Sequence, residues 1–296
     1  MGGADVIPGV SGGTIAFITG IYEELLNSIK SVDGNAFKLL FSFQIKLFWQ
    51  KINGSFLLAV FAGLATSLLS LAKLLTFLLQ EYPIPVWSFF FGLILISSPL
   101  ILREIRKWNT GIVISLLVGI ISAFSITLLS PAQTTNNLLF IFICGSLAIC
   151  AMILPGISGA FILLLLGKYE YIIESLVSVD VTVIAVFLIG CVVGILSFSR
   201  FLSWLLANYR LTALALLAGF MIGSLNKIWP WKEVLSYRLN ENGHQIPAYE
   251  RSIMPWNYLE KTGEDPQLFL AILFGALGIL LIIGIEKIAE RSKSKF

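Results

Sequence analysis

Apolar residues along this chain gather into blocks of about 17–25 positions, at 56–80, 86–102, 111–130, 182–206, 211–227 and 268–286. Each block is long enough to cross a hydrocarbon layer of about 30 Å as a helix. Backbone groups in lipid must bond within their own segment, so these blocks predict membrane-spanning helices. The short alternating segments of a β-barrel are absent. The expected fold class is therefore an all-α integral membrane protein with six full spans.

Two further apolar stretches, 4–21 and 138–167, are interrupted by proline and glycine: Pro8-Gly9-Val10-Ser11-Gly12-Gly13 and Pro155-Gly156-Ile157-Ser158-Gly159. Such a cluster cannot continue a helix. Both read as broken or re-entrant helices, tolerated where protein or water lines the break. They are also copies of each other. PGVSGGTIAFITGIYE from Pro8 and PGISGAFILLLLGKYE from Pro155 share eight of sixteen residues at an offset of 147. Beyond them the offset is 127, which aligns Lys73 with Arg200, Tyr82 with Tyr209, Gly92 with Gly219 and Ser97 with Ser224.

The pattern thus predicts two repeats, residues 1–130 and 138–286, in a single membrane domain. Each has one re-entrant hairpin and three transmembrane helices. The first carries an insert at 25–55, rich in Lys, Phe and Trp, that reads as an amphipathic surface helix. The second carries a long polar loop at 228–267. Only seven residues precede Pro8, so the first hairpin reads as half a hairpin or as a chain that starts late.

Charge then orients the spans. Placing the first hairpin on the cytoplasmic side puts twelve Lys and Arg inside and six outside, with none in the short outside loops 81–85 and 131–137. This is the positive-inside pattern. It predicts a cytoplasmic C-terminus and makes the second half the inverted image of the first, a plan common among secondary transporters. Charged residues are 12% of the 296 positions and the net charge is +3, which argues against a nucleic-acid partner. Cys144, Cys150 and Cys191 lie in apolar blocks and His244, the single histidine, lies in a loop. Neither a metal site nor a cofactor is expected.

Candidate chemistry follows from the breaks. Opposed half-helix termini present N–H groups and positive dipole ends, and glycine lets a ligand approach the main chain. Ser11, Gly12, Gly13 and Thr14 with Ser158 and Gly159 form the expected site for an anionic head group. The competing reading is glycine-mediated helix packing. Lys73 and Arg200, aligned by the repeat within apolar spans, are expected phosphate contacts, against an alternative as snorkelling anchors. Asp5 is expected to couple an ion, or else to cap a helix. Glu23 and Glu170 close the two hairpins as further coupling candidates or interfacial markers. No catalytic residue is expected.

The segments GGADVIPGVSGGTIAFITGIYEEL and CAMILPGISGAFILLLLGKYE resemble the two hallmark segments of the bacterial polyprenyl-phosphate transporter family, a resemblance covering nearly the whole chain. It implies a flippase in the bacterial cytoplasmic membrane. That flippase would return undecaprenyl phosphate from the outer to the inner leaflet, driven by an ion gradient. The expected partners are the polyprenyl phosphate lipid and the bilayer; no oligomeric state is specified. A small-anion channel is the alternative function. An intramembrane lipid phosphatase fits less well, because the chain has no histidine near the breaks.

Overall fold

The computed structural model describes the backbone of residues 1–5, 11–129, 134–239 and 245–293. The side chains of 3–4, 68–69, 72–73, 76, 237–239, 245–249 and 288–293 fall outside what it describes. The chain is predominantly helical. Its N-terminal part holds α1 (Gly2–Asp5), α2 (Gly12–Ile18), α3 (Tyr22–Lys30), α4 (Gly34–Phe41), α5 (Ile45–Lys51), α6 (Gly54–Glu81), α7 (Pro83–Leu102) and α8 (Thr110–Leu128). Its C-terminal part holds α9 (Leu138–Ile153), α10 (Gly159–Leu165), α11 (Tyr169–Val177), α12 (Val181–Asn208), α13 (Arg210–Ser224), α14 (Pro255–Thr262) and α15 (Leu268–Lys293). The polar loop departs from an all-helical fold: β1 (Lys232–Leu239) and β2 (Gln245–Ser252) form an antiparallel hairpin.

Helix ends recur at the two sequence offsets. Adding 147 to the bounds of α2 and α3 gives those of α10 and α11, and adding 127 to those of α6 gives α12. Local chemistry explains the coincidence. Gly20 and Gly167 both follow a helix C-cap with positive φ, +76° and +63°. Around each, the N–H of Gly20 or Gly167 bonds to Phe17 or Leu164, and the N–H of Ile21 or Lys168 bonds to Ala16 or Leu163. This is the glycine-terminated Schellman pattern, so the shared Gly-x-Tyr-Glu ends one helix and starts the next. Tyr82 and Tyr209 likewise take the same conformation, φ/ψ −133°/54° and −134°/46°, at the corners after α6 and α12.

Among the described residues, four helices are long and apolar enough to cross a membrane: 83–102, 110–128, 181–208 and 268–287. A fifth span is counted if α5 and the start of α6, bent by 71°, are taken together. The expected span at 211–227 is instead α13, only 15 residues. At 1.5 Å per residue it reaches about 22 Å, short of a hydrocarbon layer. Its residues Ala215, Leu217, Ala218 and Met221 are fully buried, so it sits inside the protein. The insert at 25–55 is not one helix. Asp33 caps α4, Phe43 has positive φ, and the chain turns into α5 with Phe41 and Phe43 largely exposed.

α7 packs on α15, and α13 on α8. The second pairing is tight because Gly119 and Gly219 face each other. A Cβ on Gly219 would press into the Leu116 carbonyl, and one on Gly119 into that of Leu216. The largest apolar core runs from Leu25 and Leu26 of α3 through Ile94 of α7 to Leu202 of α12 and Met221 of α13. Asn109 and Asp180 cap α8 and α12, accepting from Ile112 and from Thr182 and Val183. We predict that Gly219→Val lowers stability by roughly 1–3 kcal/mol through overpacking. Gly63→Val should not, because nothing lies near that glycine. Thermal unfolding in detergent checks both.

Candidate functional site

The described part of the first break begins at Ser11, whose extended backbone (φ −118°, ψ 136°) leads into α2. Its hydroxyl accepts from the Gly13 N–H at 3.0 Å and donates to the Met152 carbonyl of α9 at 2.9 Å. One Asp5 carboxylate oxygen accepts from the Gly12 N–H at 2.6 Å. Its other oxygen is buried and has no hydrogen-bond partner among the described residues. The Thr14 hydroxyl in turn accepts from the Gly156 N–H at 2.8 Å, in the middle of the second break. Ser11 and Thr14 are fully buried. Pro8, Gly9 and Val10 lie outside the described residues.

The two breaks therefore touch. Gly13 lies so close to the Ile153 carbonyl that a methyl group there would collide with it. Gly156 has φ +89°, a conformation open to glycine at little cost, and it abuts Ser224. Sequence reasoning expected free N–H groups at both breaks. In this conformation those of Gly12, Gly13 and Gly156 are taken by Asp5, Ser11 and Thr14. The Asp5 carboxylate thus holds the first N–H of α2, beside the Ser11 N-cap.

Ser158 precedes α10 but makes no capping bond, unlike its counterpart Ser11. With Gly156, Phe161, Ser224 and Lys227 it lines a crevice of about 10 Å³. Gly159 packs against the Ala148 carbonyl.

The charged candidates are placed elsewhere. Arg200 donates to Leu196, one turn back in α12, at 2.8 Å and to the Val32 carbonyl after α3 at 2.9 Å. It ties α12 to the end of α3 and, among the described residues, makes no bond to either break. Beside it Ser203 donates to Asn27 at 2.8 Å and accepts from Lys30 at 3.2 Å. The Lys73 side chain lies outside what the structure describes. Glu23 forms an ion pair with Arg210, which also reaches Glu104 at 3.3 Å. Glu170 occupies the first turn of α11, as Glu23 does that of α3. Lys168 is one of the six Lys and Arg that the charge pattern places outside. It is buried and donates to the Thr134 carbonyl at 2.8 Å and the Asn136 side chain at 2.6 Å, fastening the loop before α9. Thr14 had a place among the anion ligands in the sequence reading. Its bond to Gly156 was not foreseen, and the pairing of the two motifs was the signal for it.

Long apolar helices around a polar junction of two broken ones define a multi-pass helical membrane protein. The chain belongs to the undecaprenyl phosphate translocase-like family, whose model matches residues 1–246. It is 46% identical over 291 residues to a polyprenyl-phosphate transporter of Vibrio cholerae serotype O1, covering 98% of this chain and 94% of that protein. A polyprenyl-phosphate transporter of Staphylococcus aureus is 32% identical over 249 residues, covering 78% and 83%. No solved structure matches the chain.

The Thr14–Gly156 bond gives a direct test of the junction. Thr14→Val leaves a buried N–H without a partner and should cost about 1–3 kcal/mol. Thr14→Ser keeps the acceptor and should cost much less. Thermal midpoints of the two variants in detergent separate them.

Proposed function

We propose that this protein is a flippase that returns undecaprenyl phosphate from the outer to the inner leaflet of the bacterial cytoplasmic membrane, binding the phosphate where the two helix breaks meet. The observation that carries the reading is the direct, buried bonding of one break to the other, Ser11 to Met152 and Gly156 to Thr14. The names of both relatives and of the family support the substrate. In this reading the chain is two inverted halves that rock about the junction, with the C-terminus cytoplasmic and the 228–267 loop outside. The recurrence of helix bounds at the two offsets supports two related halves.

A lipid phosphate needs N–H donors and cations for its head, while its tails can stay in the bilayer. The junction holds such donors under protein acceptors. The Asp5 carboxylate occupies the N–H of Gly12, and the hydroxyls of Ser11 and Thr14 occupy those of Gly13 and Gly156. Parting the halves frees the Gly156 N–H from Thr14, while the N–H groups of Gly12 and Gly13, held within the first half, exchange Asp5 and Ser11 for phosphate oxygens. Asp5 is the coupling carboxylate in this scheme. A proton or cation at its unpartnered oxygen weakens its claim on α2 and opens the site to an anion. Glu23 and Glu170, at matching first turns, are secondary candidates for the same duty.

Lys73 and Arg200 serve as head-group contacts toward the two faces. Arg200 uses two of its five N–H donors on carbonyls, and the remaining three can meet phosphate oxygens. Arg200→Gln and Lys73→Gln should each lower polyprenyl-phosphate affinity roughly tenfold to a hundredfold, the loss of about 1.5–3 kcal/mol. Binding to the purified variants measures this. The function itself is tested by reconstituting the chain in liposomes and following a labelled polyprenyl phosphate between leaflets. Transfer that depends on the protein is expected. Ionic currents without lipid transfer would instead mark an anion channel. For orientation, cysteine labelling should place residues 131–137 outside and the C-terminal tail inside; labelling both from one side contradicts the inverted arrangement.

A further inference from the structure

The polar loop brings together basic residues that are scattered in sequence. Lys227 follows α13, Lys232 opens β1 and Arg251 lies in β2, where it pairs in register with Glu233. Together with Thr127 and Leu128 at the end of α8 they line a cavity of about 210 Å³. At about 30 Å³ per water this is room for roughly seven waters, enough for a phosphate group. Among the described residues that line the cavity, Glu250 is the one carboxylate, set against three cations. It stands 3.6 Å from the Lys227 ammonium and 3.7 Å from that of Lys232. Both distances exceed the 2.7–2.9 Å of a charge-assisted hydrogen bond, so the single acid holds the two lysines loosely.

The lysines are held over aromatic rings as well: Lys227 lies 4.7 Å above Phe161 of α10, and Lys232 4.2 Å above Trp87 of α7. Burial lowers the Lys232 ammonium to about 8, with Glu250 opposing the shift and Lys227 adding to it. Its charged form is short of counter-charge, a deficit that a bound anion would remove.

Two neighbouring spaces give the cavity its chemical meaning. Lys227 and Thr127 also line the narrow crevice that ends on Gly156 and Ser158 of the second break. On another side, Asn226 and Ser252, hydrogen-bonded to each other at 3.0 Å, separate the cavity from an apolar groove of about 340 Å³. That groove is walled by Phe91, Trp229 and Met254. A basic pocket beside an apolar groove suits a ligand with an anionic end and a hydrocarbon end.

We infer that this pocket is the docking site for a phosphate monoester head group before it enters the breaks, with the first prenyl units in the adjoining groove and Lys227 standing between the pocket and Gly156. The inference rests on the transport reading above and adds where the head group is first held. The crevice of 10 Å³ cannot admit a phosphate, so a docked head group waits until the helices part.

The test uses the full chain in nanodiscs, with polyprenyl phosphate and, separately, inorganic phosphate as probes. Lys227→Gln, Lys232→Gln and Arg251→Gln are compared with Lys261→Gln, a control outside the pocket lining whose ammonium pairs with Glu233 at 2.9 Å. Tenfold or greater loss of polyprenyl-phosphate affinity is expected for the three pocket variants, and no change for the control. Inorganic phosphate should compete with the lipid, which marks the head group as the recognised part. Arg251 is exposed, so its replacement spares folding even if that of Lys232 does not. If the parent binds the lipid and all three variants bind equally well, the pocket is wrong and the transport reading stands. If the parent ignores the lipid, the transport reading fails. The pocket then survives as a phosphate site only if inorganic phosphate binds the parent and not Arg251→Gln; otherwise it falls too.

Discussion

A helix broken inside an apolar surrounding frees N–H and C=O groups that water cannot reach, and each must find a partner or cost several kcal/mol. This protein contains two such breaks; among the described residues each gives the other a partner, while Asp5 and Ser11 take the N–H groups of Gly12 and Gly13. The Met152 carbonyl at the end of α9 takes the Ser11 hydroxyl, and the Gly156 N–H takes Thr14 as acceptor. The consequences run outward. Glycine is needed at 13 because a carbonyl passes there. α2 must lie against α9. The central helices α7 and α13 are then wrapped by α15 and α8, which carry the apolar surface exposed around them.

Closure of the junction by internal acceptors also suits it to exchange. A site whose donors were bare would keep unpaired groups in an apolar interior between transport events. A site whose donors are bonded to Ser11, Thr14 and Asp5 is satisfied without cargo and can trade those bonds for phosphate oxygens at little net change. In the proposed flippase the hydroxyls and the carboxylate stand in for the head group, with no need of an empty cavity at the breaks.

Much of this was readable from the chain because the two motifs repeat residue by residue. Gly20 and Gly167 end their helices in the same way, and Tyr82 and Tyr209 turn the same corner, so the elements share bounds at the offsets seen in sequence. What escaped had physical reasons too. The apolar run at 211–227 has the hydropathy of a span, but hydropathy cannot distinguish burial in lipid from burial in protein, and α13 is buried in protein. The β1–β2 hairpin was missed although Asn242-Gly243, a strong turn signal, lies between its strands. Lys227, Lys232 and Arg251 looked scattered because only that hairpin brings them together. Arg200 aligns with Lys73 at the offset of 127, but alignment could not reveal that its guanidinium reaches the Val32 carbonyl.

The central claim is that the two breaks form one junction that must part for the lipid to cross. Cysteines placed at Ser11 and Met152, in a chain whose own Cys144, Cys150 and Cys191 are replaced, measure it most directly. A flexible thiol-to-thiol cross-linker should be able to join them, since the Ser11 hydroxyl lies 2.9 Å from the Met152 main-chain carbonyl. Polyprenyl-phosphate transfer should stop on cross-linking and return when a cleavable linker is cut. A pair that does not cross-link, or that transfers lipid equally well when joined, would contradict the account.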